Sequence, residues 1–201
     1  MNEILGISSV AAGAFVATNL DNLVLLVTFL TRFPRRSFNV IAGYLSGVLF
    51  IGFVAFWIGK AADYAPVEYL GLLGLVPISI GAIGIVKLFR RHADETVTAV
   101  SPTDGVKTAY VATLVTQLGN GADTIVTFGA LFADSKPASD ILICLTIAAM
   151  AAVFALVAIY AVRHPAVSGS IDRHAHRVTP FILLIVGAYI LLNTATDVLP
   201  G

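Results

Sequence analysis

Long runs of apolar residues alternate along this chain with short clusters of charged and polar ones, and the length of the runs decides how they are read. A hydrocarbon core of about 30 Å is crossed by roughly 20 helical residues rising 1.5 Å each. Six runs reach that length, at 4–31, 38–59, 67–89, 106–133, 139–162 and 178–198. In lipid every backbone polar group must find its partner within the segment, so runs this long predict helices rather than barrel strands of about ten residues. The pattern predicts an all-α membrane protein of six transmembrane helices.

The six runs fall into two sets of three. Pro77 and Gly84 in the third run stand 103 residues before Pro180 and Gly187 in the sixth. Asn19, Asp21 and Asn22 in the first run match Asn120, Asp123 and Thr124 in the fourth, with the two aspartates 102 apart. Each half reads as one polar-centred helix, one plain helix and one Pro/Gly helix. Three crossings is an odd number, so a second copy must enter the membrane with opposite orientation. This predicts two inverted three-helix repeats, a plan used by many secondary transporters with their sites at the repeat interface. The domain reading is a first repeat over 1–91, a polar cytoplasmic linker over 92–105 that holds Pro102, and a second repeat over 106–201.

Composition agrees and removes some function classes. The chain is 58% hydrophobic and 12% charged, with a mean hydropathy of +0.91, against about 25% charged in soluble domains. Twelve basic residues balance twelve acidic ones, which gives no case for a nucleic-acid partner. The single cysteine, Cys144, excludes an internal disulfide and a multi-thiolate metal cage, and reads as a small apolar helix residue. No Walker-type phosphate loop occurs, so ATP-driven pumping is not expected. No removable signal peptide is expected either, because the first six residues carry Glu3 and neither Lys nor Arg.

Charge position sets the expected orientation. The first, third and fifth connections hold Arg32, Arg35, Arg36, Lys87, Arg90, Arg91, Lys107, Arg163, Arg173 and Arg177, whereas the second and fourth hold only Lys60 and Lys136. By the positive-inside rule the odd connections are cytoplasmic and both termini lie outside, in a multi-pass protein of the plasma (inner) membrane. Trp57, Tyr64 and Tyr69 fall near the outer helix ends, where amphipathic rings favour the interface.

The candidate chemistry centres on Asp21 and Asp123, each deep in an apolar run, where an aspartate costs at least about 2.5 kcal/mol. One carboxylate from each half supplies two negative charges for a divalent cation, or two proton acceptors for coupled transport. Asn19 and Asn22 share a helix face beside Asp21, and Asn120 and Thr124 accompany Asp123, so amide and hydroxyl oxygens are available to complete a coordination shell. For these, and for Thr18, Thr116 and Gln117, hydrogen bonding between helices is the competing account. Gly119 and Gly121 flank Asn120 and permit either unwinding or close helix approach. Pro77 and Pro180 read first as shape residues. His92, His164, His174 and His176 lie in connections and are kept out of the site. The predicted metal set is Asp21, Asp123, Asn19, Asn120, Asn22 and Thr124, with the ion as transported substrate and no resident cofactor.

At these residues the chain resembles the cadmium-resistance (Cad) transporter family of the LysE superfamily. The likeness lies in Ala17-Thr-Asn-Leu-Asp-Asn-Leu-Val, Leu73-Gly-Leu-Val-Pro-Ile, Asn120-Gly-Ala-Asp followed by Leu131-Phe-Ala, and Pro180-Phe-Ile-Leu with Gly187. It covers nearly the whole chain in order. The resemblance implies a six-helix exporter of divalent heavy-metal cations with its ion site at the acidic motifs of helices one and four. The chain departs from the family pattern at Asn22, where the family tends to carry Asp, and at Thr124, where it tends to carry Asn; the first departure lowers the charge of that site by one carboxylate. The competing readings are a LysE-type exporter of amino acids or small metabolites, and a non-transporting membrane scaffold. Matched intramembrane acids argue against the scaffold, and the lack of a nucleophile, base and orienter argues against an enzyme. The expected partners are the divalent ion and the lipid bilayer, and a homo-oligomer is compatible with both.

Overall fold

The computed structural model describes residues 2–62, 106–164, 181–182 and 184–192, with positions 75, 78, 79, 82, 83, 85 and 86. Its elements are all helical: α1 (Asn2–Arg32), a 3-10 turn (Pro34–Arg36), α2 (Ser37–Ala62), α3 (Val106–Gly119), α4 (Ala122–Asp134) and α5 (Pro137–Arg163). Residues 184–192 add a further helical segment. Three stretches are long and apolar enough to cross a membrane, Leu5–Arg32, Pro34–Ala61 and Pro137–Arg163. Most of the third predicted run, the ends of the sixth, the 92–105 linker, Pro77, Gly84, Pro180 and three of the four histidines lie outside the described residues.

Local sequence explains where the helices stop. Phe33 precedes Pro34, whose ring disfavours helical backbone in the residue before it, and Phe33 sits at φ −118° and ψ 56°. The Arg36 N–H then reaches the Phe33 carbonyl at 2.9 Å and the Ser37 hydroxyl donates to the Pro34 carbonyl at 3.0 Å. This tight turn separates α1 from α2. Pro137 opens α5 as a first-turn residue, where its missing N–H costs nothing.

The fourth predicted run is not one continuous helix. It breaks at Asn120 and Gly121 into α3 and α4. The Gly121 N–H turns to the Leu118 carbonyl, three residues back, at 3.3 Å, and the ladder resumes with Ile125 donating to Gly121 at 2.9 Å. Gly121 also lies tightly against Ile51 of α2, so a side chain there has no room. Gly119 has open space around its Cα. Of the two glycines beside Asn120, one is required by close approach and the other is not.

Glycines at the contacts, Gly43, Gly47 and Gly59 on α2 and Gly121 and Gly129 opposite, let α2 lie against this broken helix. Gly43 abuts the Tyr110 carbonyl and Thr113, Gly47 abuts Gln117, Ile51 meets Gly121, Ile58 meets Gly129, and Gly59 abuts Phe132 and the Gly129 carbonyl. The contacts advance along both partners in the same direction, so α2 runs parallel to α3 and α4. From Gly43 to Gly59 they extend about 24 Å at 1.5 Å per residue, so α3 and α4 together accompany α2 along most of its length. Between helices in lipid, close packing of small residues supplies association that the hydrophobic effect cannot.

On the other side of the bundle α1 packs chiefly on α5, while α1 and α2 touch each other little. Phe15 meets Phe154 edge-on, with centroids 5.2 Å apart and planes at 82°. Ala11, Ala14, Ala151 and Ala158, with Val186 and Ile190 of the 184–192 segment, belong to the same buried core. Large apolar side chains such as Phe50, Phe53, Trp57, Ile141, Leu145 and Leu156 face outward instead. An exterior this apolar is what a lipid solvent selects.

Candidate functional site

The break in the fourth run falls beside the polar stretch of α1 and builds the site. Asn19, 1% exposed, is its hub. The Asn22 amide donates to Asn19 Oδ1 at 3.2 Å, and Gln117 Nε2 of α3 donates to the same oxygen at 3.4 Å. Asn19 Nδ2 lies within reach of the Phe15 carbonyl at 3.2 Å, Thr18 Oγ1 at 3.0 Å and Thr124 Oγ1 of α4 at 3.5 Å. One amide thus ties α1 to both sides of the break.

This network is expected to hold the junction rigid. Asn19→Leu leaves the buried Asn22 and Gln117 amides without their common acceptor, at about 1–3 kcal/mol for each unmet group before relaxation. Thermal unfolding of the purified protein in detergent should show a clear drop in midpoint. An unchanged midpoint would mean that the amides find water or other partners.

Asp123 occupies the first turn of α4, where the positive end of a helix dipole and unpaired N–H groups favour a carboxylate. The Thr124 N–H donates to Asp123 Oδ1 at 2.8 Å. The break therefore lets an aspartate sit in the middle of an apolar run at reduced cost. Asp21 and Asp123 are near enough for their charges to interact, although they come from α1 and α4.

The six predicted residues separate into two groups. Asn19, Asn22 and Thr124 are buried together. Asp21 and Asn120 are exposed and Asp123 is half-buried. Helix geometry explains the division: at about 100° per residue, Asn19 and Asn22 lie about 60° apart, and Asp21 points about 100° round from Asn22. The amides face the bundle and the carboxylates face its open side. Among the described residues no group of three or more His, Cys, Asp or Glu comes together.

Sequence reasoning missed Tyr44. A cavity of about 10 Å³, room for one water, lies between α1, α2 and α3, lined by Asn22, Tyr44, Thr113, Thr116 and Gln117 with Leu and Phe side chains of α1. Asn22 Oδ1 and the Tyr44 hydroxyl are both buried and unpartnered. Thr127, one turn beyond Asp123, has a fully buried hydroxyl that is also unpartnered. A tyrosine inside an otherwise apolar run was the available signal. His164 ends α5 and lies 4.4 Å from the Tyr160 ring, away from the acids, and Cys144 is exposed on α5.

The Cad family model, described as cadmium resistance transporter, matches residues 15–199 and so includes both acidic motifs and both halves. No curated protein and no solved structure matches the chain.

Proposed function

The chain belongs to the cadmium resistance transporter family, and on that premise we propose that it is a secondary exporter of a divalent heavy-metal cation, held between Asp21 and Asp123. The observation that carries the reading is the contact of Asn19 with Thr124, which brings the acidic motifs of α1 and α4 side by side at a broken helix. Two negative charges match one divalent ion. The reading takes Asn19, Asn120, Asn22 and Thr124 as further oxygen donors, and the mutual contacts of Asn19, Asn22 and Thr124 support it. Oxygen donors suit harder ions such as Mn²⁺ better than soft Cd²⁺, so both belong in the assay.

The helix pairing supports two inverted repeats. Exchanging the halves turns the α1 seam with α5 into the α2 seam with α3 and α4, and these are the two principal packings. Alternating access then consists of rocking one half against the other around the site. The charge asymmetry of the connections supports a plasma-membrane protein with both termini outside.

Proton exchange follows from the donor chemistry. A carboxylate must be deprotonated to hold a cation, so binding displaces protons and affinity falls as pH drops through the carboxylate titration. In sealed vesicles, Cd²⁺ or Mn²⁺ movement should accelerate under an opposing pH gradient and slow when an ionophore collapses it. Flux indifferent to the gradient would remove proton coupling, and the absence of divalent flux would remove the substrate assignment.

A further inference from the structure

We propose that Lys60, Asp140 and Ser135 form a latch that holds one end of the bundle closed; the proposal rests on the alternating-access reading above. Lys60 is the basic residue of the last turn of α2, and Asp140 is the acidic residue of the first turn of α5. Lys60 Nζ lies 2.8 Å from Asp140 Oδ2, and the Ser135 hydroxyl donates to Asp140 Oδ1 at 2.6 Å. Both carboxylate oxygens are engaged. Asp140 is 7% exposed, and the ammonium stands 5.9 Å from the Phe56 ring, which meets Phe132 of α4 edge-on at 5.4 Å. The pair joins an element of the first half to two of the second. Removing one partner from such a partly desolvated pair strands the other charge.

A plain structural staple would have the same local geometry. The asymmetry between the two ends points to a gate. The offset of 103 that relates Pro77 to Pro180 carries Lys60 onto Arg163 and Ser37 onto Asp140. At the opposite end the cation is kept, but a serine stands where the carboxylate would be, and its hydroxyl is turned to the Pro34 carbonyl. The cavity lined by Asn22, Tyr44 and Thr113 lies on that opposite side, between Asp21 and the Arg32 end of α1. Among the described residues, the Lys60 end carries this ion pair, and the one-water cavity lies toward the other end. Two access states of similar energy are biased by any interaction made in only one of them. Closure at the Lys60 end is that state, and the charge asymmetry of the connections puts this end outside.

Cysteine reporters test it in sealed vesicles of both orientations, on a Cys144→Ser background, using a membrane-impermeant cationic thiol reagent. Thr127→Cys reports the Lys60 side and Thr113→Cys the Arg32 side; both positions are buried. Lys60→Gln or Asp140→Asn should raise labelling at Thr127→Cys at least tenfold and lower it at Thr113→Cys. The swap of Lys60→Asp with Asp140→Lys should bring both rates back. Unchanged labelling at Thr127→Cys, a rise at both reporters, or a swap that restores neither overturns the latch. These rates are read without cation flux, so the latch and the substrate assignment stand or fall separately.

Discussion

Asp21→Asn, Asp123→Asn and the double variant should reach the membrane in normal amounts yet carry divalent cation no faster than empty vesicles. Replacing a carboxylate by an amide of the same shape eases insertion, because an aspartate in the bilayer costs at least about 2.5 kcal/mol. Assembly is therefore not the step at risk. What is lost is half of the negative charge available to the ion, since the two aspartates stand without a third acidic, His or Cys neighbour among the described residues. Even a loss of about 1.4 kcal/mol in ion binding is tenfold in affinity. Removing a charged ligand from a low-dielectric site costs more than that. The amide also carries no exchangeable carboxyl proton, so the dependence of binding on pH should flatten in each single variant. Calorimetry with Mn²⁺ and Cd²⁺ across pH, beside vesicle flux, measures both effects. Normal flux in the double variant would take both residues out of the mechanism.

The second large effect concerns assembly. Gly59→Val and Gly43→Val should destroy the seam between α2 and the broken helix, because a Cβ at Gly43 would stand about 2.5 Å from the Tyr110 carbonyl oxygen and one at Gly59 would meet Phe132 and the Gly129 carbonyl. Backbone atoms cannot rotate aside as a flexible side chain can. Overpacking costs about 1–3 kcal/mol even where neighbours adjust, and here the helices themselves must separate along a seam of about 24 Å. A fall of several degrees in unfolding midpoint, or loss of monodisperse protein in detergent, is expected. Gly119→Ala is the internal control, since nothing lies within 4 Å of the added Cβ. It should be neutral or slightly stabilising, as glycine in a helix is about 0.5–1 kcal/mol worse than alanine. Equal damage from Gly119→Ala and Gly59→Val would mean that close approach is not what these glycines serve.

Much of this was legible along the chain because hydrophobicity and covalent backbone preferences act locally. An apolar run long enough to span lipid announces itself without knowledge of its neighbours, and so α1, α2 and α5 fall close to the predicted runs. The high cost of a carboxylate in lipid is likewise a property of position in a run, which is why Asp21 and Asp123 were candidates before any contact was known. Gly-Asn-Gly at 119–121 carried the option of a break for the same reason, since glycine imposes no side-chain demand on the backbone.

Direction and partnership were decided only in three dimensions. Sequence spacing put Asn19 and Asn22 on one face, but the tertiary packing made that face the buried one and left Asp21 on the exposed side. The partners of Asn19, namely Gln117 and Thr124, lie about a hundred residues away and reach it because the fourth run breaks beside it. Lys60 stood in the second connection and Asp140 at the start of the fifth run with nothing in the sequence to relate them, and the packing of α2 against α5 made them one pair. Tyr44 became a polar site only when α1 and α3 closed over it. The sequence by itself determined which segments enter lipid and which residues are too costly to be there without purpose, because both follow from transfer of single groups out of water. Which of those residues meet was a matter for the tertiary structure alone, because hydrogen bonds and ion pairs need two partners at about 3 Å, and that distance is set by helix packing.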